Sequence, residues 1–290
     1  MSNNIEDKKG NYEVVRNILS SRYQEVNGYD FYRYIFPDNQ NVGELSGNYS
    51  KPNAIYLYRD EEEDPDRTYR RRIMLNDTWE DDYMNYVECN HKTLCSGLAY
   101  RDKKNRLENA QQMNALVFDL DSVGENELEN LLLRMSKKPG LRTLPEPTFI
   151  VMSGTGLHIY YVFDRPVALY PNIKLQMKAL KYDLTFKMWE YRATSKEKQI
   201  QYQSINQGFR MVGSCNDKYN LQVKAFKTGD RVSLDYLNSY ADEEKNKVNI
   251  NKPFKPTQYT IDEAKEKFPE WYERVVVEGD KRAKKWDIKR

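Results

Sequence analysis

Histidine and cysteine are scarce in this chain, with two of the first and three of the second among 290 residues. With only His91 and His158, every site built on clustered imidazoles is excluded. That removes HExxH metalloproteases, three-histidine zinc centres and the paired-histidine motif of nicking endonucleases. A Ser–His–Asp or Cys–His hydrolase would have to use one of these two. Cys89, Cys95 and Cys215 cannot build a disulfide framework and fit a reducing compartment. Cys89, His91 and Cys95 offer three zinc ligands where a closed structural site takes four, so no zinc is expected. A GxxxxGK[ST] phosphate loop is missing, so the chain carries no helicase motor. No apolar run approaches the roughly 18 residues of a membrane span. The stretch from Met1 to Asn11 is polar and has no signal-peptide core. A soluble cytoplasmic protein with no membrane partner is expected.

What is abundant is charge and aromaticity. The 46 basic and 44 acidic residues nearly cancel, so the total charge says nothing about nucleic acid. The 23 tyrosines and 10 phenylalanines set the chain apart from disordered sequences, which are poor in aromatics.

Residues 1–30 read as a polar helical lead-in, with Val14, Val15, Ile18 and Leu19 at helical spacing and a turn at Asn27-Gly28. Ala54 to Tyr58 reads as a strand. The acidic run Asp60 to Asp64 and the basic set Arg67, Arg70, Arg71 and Arg72 then read as a solvated hairpin loop, or as a contact to a nucleic-acid backbone. Residues 79–89 suggest a short helix and Leu98 to Arg101 a strand. Asn114 to Asp121 is a dense apolar run closing on two aspartates, a buried strand by its length and its β-branched and aromatic content. Glu125 to Met135 is an amphipathic helix. Thr148 to Met152 and His158 to Phe163 form a hairpin about Ser153-Gly-Thr-Gly-Leu157. Residues 172–192 have helical periodicity, Phe209 to Val212 and Val223 to Phe226 are short strands, and Ile261 to Glu278 is a last helix before a basic tail. The order predicts an α+β fold, a mostly antiparallel sheet with helices on one face.

Three elements carry chemistry. Asp119 and Asp121 are two apart on a strand, so their side chains share a face while Phe118 and Leu120 point to the core. Adjacent carboxylates repel and are costly to desolvate, and a hard cation such as Mg²⁺ offsets that cost. Ser153 to His158 places two glycines, a hydroxyl and an imidazole in a turn where backbone N–H groups can approach an anion. Arg210 lies in an apolar strand, where a charge needs a partner, and Lys218 follows the Gly213-Ser214 turn. The pair suits a triphosphate, although Arg210 could instead serve one of the aspartates structurally. Together these fit metal-assisted nucleotidyl transfer, for which a third carboxylate is expected. Asp183 is the first choice, with Asp164 and Asp217 as rivals.

Phe118-Asp-Leu-Asp121, Ser153-Gly-Thr-Gly-Leu-His158 and Arg210 with Gly213-Ser214 and Lys218 occur in the order that resembles the archaeo-eukaryotic primase superfamily, primase-polymerase branch. The stretch from Tyr56 to Phe226 also resembles replication primases of mobile elements and phages of Gram-positive bacteria. Leu75 to Trp79, Thr93 to Gly97, Gln201 to Arg210 and Phe268 to Tyr272 carry that closer likeness. The resemblance implies an RRM-like core at about 107–235, joined to a smaller N-terminal α/β module at about 31–106. Residues 236–290 would be a linker, a helix and a basic tail. It implies synthesis of primers or DNA from (d)NTPs on single-stranded DNA by a two-metal mechanism with Mg²⁺ or Mn²⁺. A replicative helicase, separate or lost from this chain, is a further candidate partner. By the resemblance, Asp119, Asp121 and Asp183 hold metal, Ser153 and His158 contact the incoming nucleotide, and Arg210 and Lys218 contact its triphosphate. The competing reading is a non-catalytic single-stranded nucleic-acid-binding subunit whose tyrosines stack bases.

Overall fold

The computed structural model describes residues 2–37, 51–60, 64–75, 79–88, 92–101, 104–136, 140–216, 218–251 and 261–279. The chain divides into a compact unit, Met1–Ile250, and a second, Asn251–Arg290. In the first unit the order is α1 (Ser2–Arg22), β1 (Gln24–Val26), α2 (Gly28–Ile35), β2 (Lys51–Asp60), β3 (Asp64–Met74), α3 (Trp79–Tyr83), β4 (Lys92–Tyr100) and β5 (Ala110–Leu120). It continues with α4 (Glu125–Arg134), β6 (Phe149–Met152), β7 (Leu157–Ala168), α5 (Pro171–Met188), β8 (Phe209–Arg210), β9 (Cys215–Asn216), β10 (Leu221–Gln222), β11 (Lys224–Lys227) and α6 (Leu234–Asn238). In the second unit, α7 (Ile261–Lys267) and α8 (Pro269–Tyr272) are followed by a π-turn over Glu273–Val277. The basic tail beyond residue 279 lies outside the described residues, as do Cys89 and His91. Among the described residues no helix is long and apolar enough to cross a membrane.

Nine strands form one sheet in the order β1-β11-β6-β7-β5-β4-β2-β3, with β8 also paired to β4, while β9 and β10 form a separate ribbon. Every strand pair in the sheet is antiparallel. The α+β class with a mostly antiparallel sheet is thus the observed one. The middle of the sheet is buried on both sides, which explains why β5 and β7 read as continuous apolar runs instead of alternating ones. Leu116, Phe118 and Leu120 on β5, with Ile159, Tyr161 and Phe163 on β7, enter one core cluster. Ala115 and Val117, with Tyr160 and Val162, enter the other.

Helices cover both faces, not the single face expected. α1, α4 and α5 pack on the first cluster and α2 on the second, through Phe31, Tyr32 and Ile35. The α1 segment is polar in composition but buries Tyr12, Val15 and Leu19 in the main core, and Asn27 of the expected turn is the N-cap of α2, which begins at Gly28. Arg67, Arg70, Arg71 and Arg72 lie inside strand β3 and not in a loop, so they project alternately to its two faces.

Strand β4 changes neighbours along its length. Leu98, Ala99 and Tyr100 pair with β5, whereas Leu94 and Cys95 pair with β8. The last turn of pairing on β5, Ala115 to Leu120, is made with β7. The gap between the end of β5 and β8 holds Lys181 of α5, whose Nζ lies 6.0 Å from the Phe118 ring centroid and 5.4 Å from that of Phe209. At the change of partner sits Gly97, where a Cβ would come within 2.2 Å of the Ala115 carbonyl oxygen. The obstacle is backbone and cannot rotate away. Gly97→Ala is therefore expected to destabilise the protein by about 1–3 kcal/mol, read as a lower urea midpoint.

Candidate active site

Asp119 is the penultimate residue of β5, and Asp121 follows the strand end. Alternation that buries Phe118 and Leu120 turns Asp119 to the other face, directly opposite His158 on β7. His158 Nε2 stands 3.7 Å from Asp119 Oδ1. Burial pulls the His158 pKa down to about 3, with the Arg210 guanidinium acting in the same direction. The imidazole is therefore neutral at physiological pH, and the contact is not an ion pair. The same burial pushes Asp119 up to about 6, opposed by the positive charges of Lys181 and Arg210. Asp121 is raised as well, first by burial and then by repulsion from Asp119, against a hydrogen bond from the Gln201 side chain.

The remaining groups come from separate elements. Gly156 packs so closely beneath the end of β5 that a Cβ there would lie 2.5 Å from the Leu120 carbonyl oxygen. Val123 donates its N–H to Thr155 across 3.2 Å, which binds the Ser153–Gly156 turn to the segment after Asp121. Asn216 Nδ2 donates to the Ser153 carbonyl at 3.2 Å and its Oδ1 accepts the Lys218 N–H at 3.0 Å. Ser153 and Lys218 therefore share an anchor. The Lys218 side chain is exposed, with Nζ 5.3 Å from the Tyr219 ring, near Lys8. Thus Asp119, Asp121, His158 and Arg210 are brought together, Ser153 borders them, and Lys218 sits outside the buried cluster.

Asp183 does not join the pair. Lys181 and Asp183 are two residues apart on α5, about 200° around the helix. Lys181 faces the sheet, whereas Asp183 Oδ2 accepts the Asp242 N–H at 2.9 Å. Asp164 is exposed and accepts the N–H of Arg165; Asp217 lies outside the described residues. The carboxylate that the fold does bring near Asp121 is Glu197, close enough to raise its pKa and hydrogen-bonded to Ser122 Oγ at 2.7 Å. Among the described residues no three metal-ligating side chains are grouped as a metal site.

Sequence reasoning missed Lys181, which is 1% exposed. Its Nζ donates to the Ser204 carbonyl at 3.0 Å, and burial pulls its pKa down to about 7 while Asp119 opposes the shift. A signal was present: Lys181 occupies the buried stripe of α5 with Met177, Leu180 and Leu184. The cluster also holds polar atoms that are buried without a hydrogen-bond partner: His158 Nδ1, Arg210 Nε and Gln203 Oε1. A cleft of about 440 Å³ lined by Tyr23, Leu132, Glu146 and Ile150 includes none of these residues.

No family model matches the sequence, and no curated protein matches it. Among solved structures, the chain is similar to the AEP domain of the primase-polymerase (PrimPol) of Cyanophage S-2L. The two are 14% identical with a TM-score of 0.42, over 66% of this chain and 89% of that one.

The Asp119 shift has a consequence for stability. Its folded pKa of about 6 exceeds the unfolded value of about 3.9, so between the two the folded chain keeps a proton that the unfolded chain has lost. Stability therefore falls as pH rises through this window. Asp119→Asn is expected to flatten the decline and to stabilise the protein above pH 6 by up to about 3 kcal/mol, measured by urea unfolding across a pH series.

Proposed function

We propose that this chain is a nucleotidyltransferase of the primase-polymerase kind, making primers or DNA from (d)NTPs on a single-stranded DNA template. The observation that carries the proposal is the meeting of Asp119 and Asp121 with His158 and Arg210 at the end of the central strand pair. Two carboxylates that repel each other in a buried setting hold protons tightly and are suited to a divalent cation, which removes the repulsion. Mg²⁺ or Mn²⁺ fits this donor set, because such ions take one or two carboxylates and complete their shell with water and substrate phosphates. When bound, the ion supplies Lewis-acid polarisation of phosphoryl oxygen in the two-metal manner.

The other groups are assigned by their chemistry. Arg210, held beside Asp119, offers a planar guanidinium to triphosphate oxygens. His158 is neutral, so it orients a phosphate or hydroxyl through one N–H without adding charge. The Ser153–Gly156 turn presents a hydroxyl and backbone N–H groups on the anion side. Lys218 approaches the outer end of the triphosphate from solvent. Lys181, with a pKa pulled down to about 7, offsets part of the Asp119 charge and titrates in the neutral range. The likeness carried by Leu75 to Trp79, Thr93 to Gly97, Gln201 to Arg210 and Phe268 to Tyr272 supports a setting in replication of a mobile element or phage.

Asp119→Asn and Asp121→Asn are each expected to lower primer synthesis with Mn²⁺ by at least about 10³-fold, equal to several kcal/mol of lost charge stabilisation, with the folded circular dichroism spectrum retained. If the wild-type protein binds nucleoside triphosphate no more tightly with Mn²⁺ than with a chelator, the chain is a non-catalytic nucleic-acid-binding protein instead. Because Asp183 faces away from the pair, Asp183→Asn is expected to leave synthesis within about twofold of wild type.

A further inference from the structure

One face of the N-terminal strands carries a row of side chains that leads directly to Arg210. Residues opposite each other in an antiparallel pair share a face. Arg210 on β8 opposes Leu94 on β4, Leu94 opposes Ile55 on β2, and Ile55 opposes Arg72 on β3. Two residues along the strands, about 6.7 Å further on, Lys92 opposes Leu57 and Leu57 opposes Arg70. One step beyond, Arg59 opposes Thr68. The centre of this surface is therefore half-buried and apolar, while exposed cations line it on both sides. Arg59, Arg70 and Arg72 form no ion pair among the described residues.

The opposite face of the same hairpin is used up internally. Tyr56 and Tyr58 stack with centroids 5.3 Å apart, and Tyr58 and Tyr69 with centroids 5.6 Å apart. Arg67 caps Tyr69 at 4.9 Å, and Arg71 lies 4.5 Å from the Tyr86 ring, which itself meets Tyr56. Those ring faces are already occupied by one another.

We propose that the face formed by Arg59, Arg70, Arg72 and Lys92, with its apolar floor, is the track that holds a single nucleic-acid strand and delivers it to Arg210. The partner follows from the chemistry. A line of cations beside a narrow apolar strip matches phosphates along one edge and bases lying against Leu57 and Ile55. Carboxylate-rich protein surfaces lack the apolar half of that pattern. This inference rests on the proposed function for the identity of the strand as template, and its test is separate from it.

The experiment is fluorescence anisotropy of the full chain with labelled oligothymidylate over a salt series, in chelator and without nucleotide. The paired substitution Arg70→Gln with Arg72→Gln is expected to weaken binding at least about tenfold. It should also reduce the slope of log affinity against log salt by about 1.4, as for two lost phosphate contacts on a single strand. Arg67→Gln with Arg71→Gln removes the same charge from the other face and is expected to leave the slope unchanged. Mn²⁺-dependent triphosphate binding, measured in parallel, should be intact in both variants. An unchanged slope in the first variant, an equal loss in the second, or equally tight binding of a duplex would overturn the track. If triphosphate binding is absent in wild type while the first variant still loses the strand, the track stands and the polymerase assignment fails.

Discussion

A carboxylate taken out of water at the end of a central strand must be balanced, and the arrangement about Asp119 is organised by that need. Burial raises its pKa, and two cations oppose the shift, Lys181 from α5 and Arg210 from β8. The lysine in turn loses basicity in the same surroundings and gains a backbone carbonyl as its hydrogen-bond acceptor. Elements that are remote in sequence are thus bound to one another through a single charge. Removing either cation leaves the carboxylate desolvated with less charge to balance it, which is the costly direction for buried ions.

The same burial decides what His158 can do. Its pKa of about 3 and its place 3.7 Å from Asp119 make it a neutral neighbour and not a counter-ion. A neutral imidazole gives direction to a bound oxygen, while the charge is supplied by the guanidinium. Under the proposed function this division of labour suits a triphosphate, where one group must neutralise and another must align.

Much of the central architecture was legible in the sequence because local patterns and tertiary packing agree there. The apolar run before Asp119, the hairpin about Ser153 and the strand bearing Arg210 are all present. Alternation alone placed both aspartates on the face away from Phe118. The failures have a common physical origin in residues whose surroundings come from distant segments. Asp183 looked suitable by its distance along the chain, but helical geometry turns it from the sheet while Lys181 turns toward it. In α1 the helical spacing of Val15 and Leu19 was legible and both are buried; only Tyr12, which joins them in the core, carried no such signal. The arginines of β3 resembled a loop, since an exposed edge strand needs little apolar content and charge on such a strand discourages further pairing.

The shared strand β4 has a mechanical consequence. It is hydrogen-bonded to β5 through one half and to β8 through the other, so the two banks of the site belong to one continuous backbone ladder. Jaw-like opening would require breaking that ladder. The aperture can change only as the sheet coils more or less tightly, a small and stiff deformation. Access to the buried cluster then depends on side-chain rearrangement at the rim, and the spacing between carboxylates and guanidinium stays nearly constant.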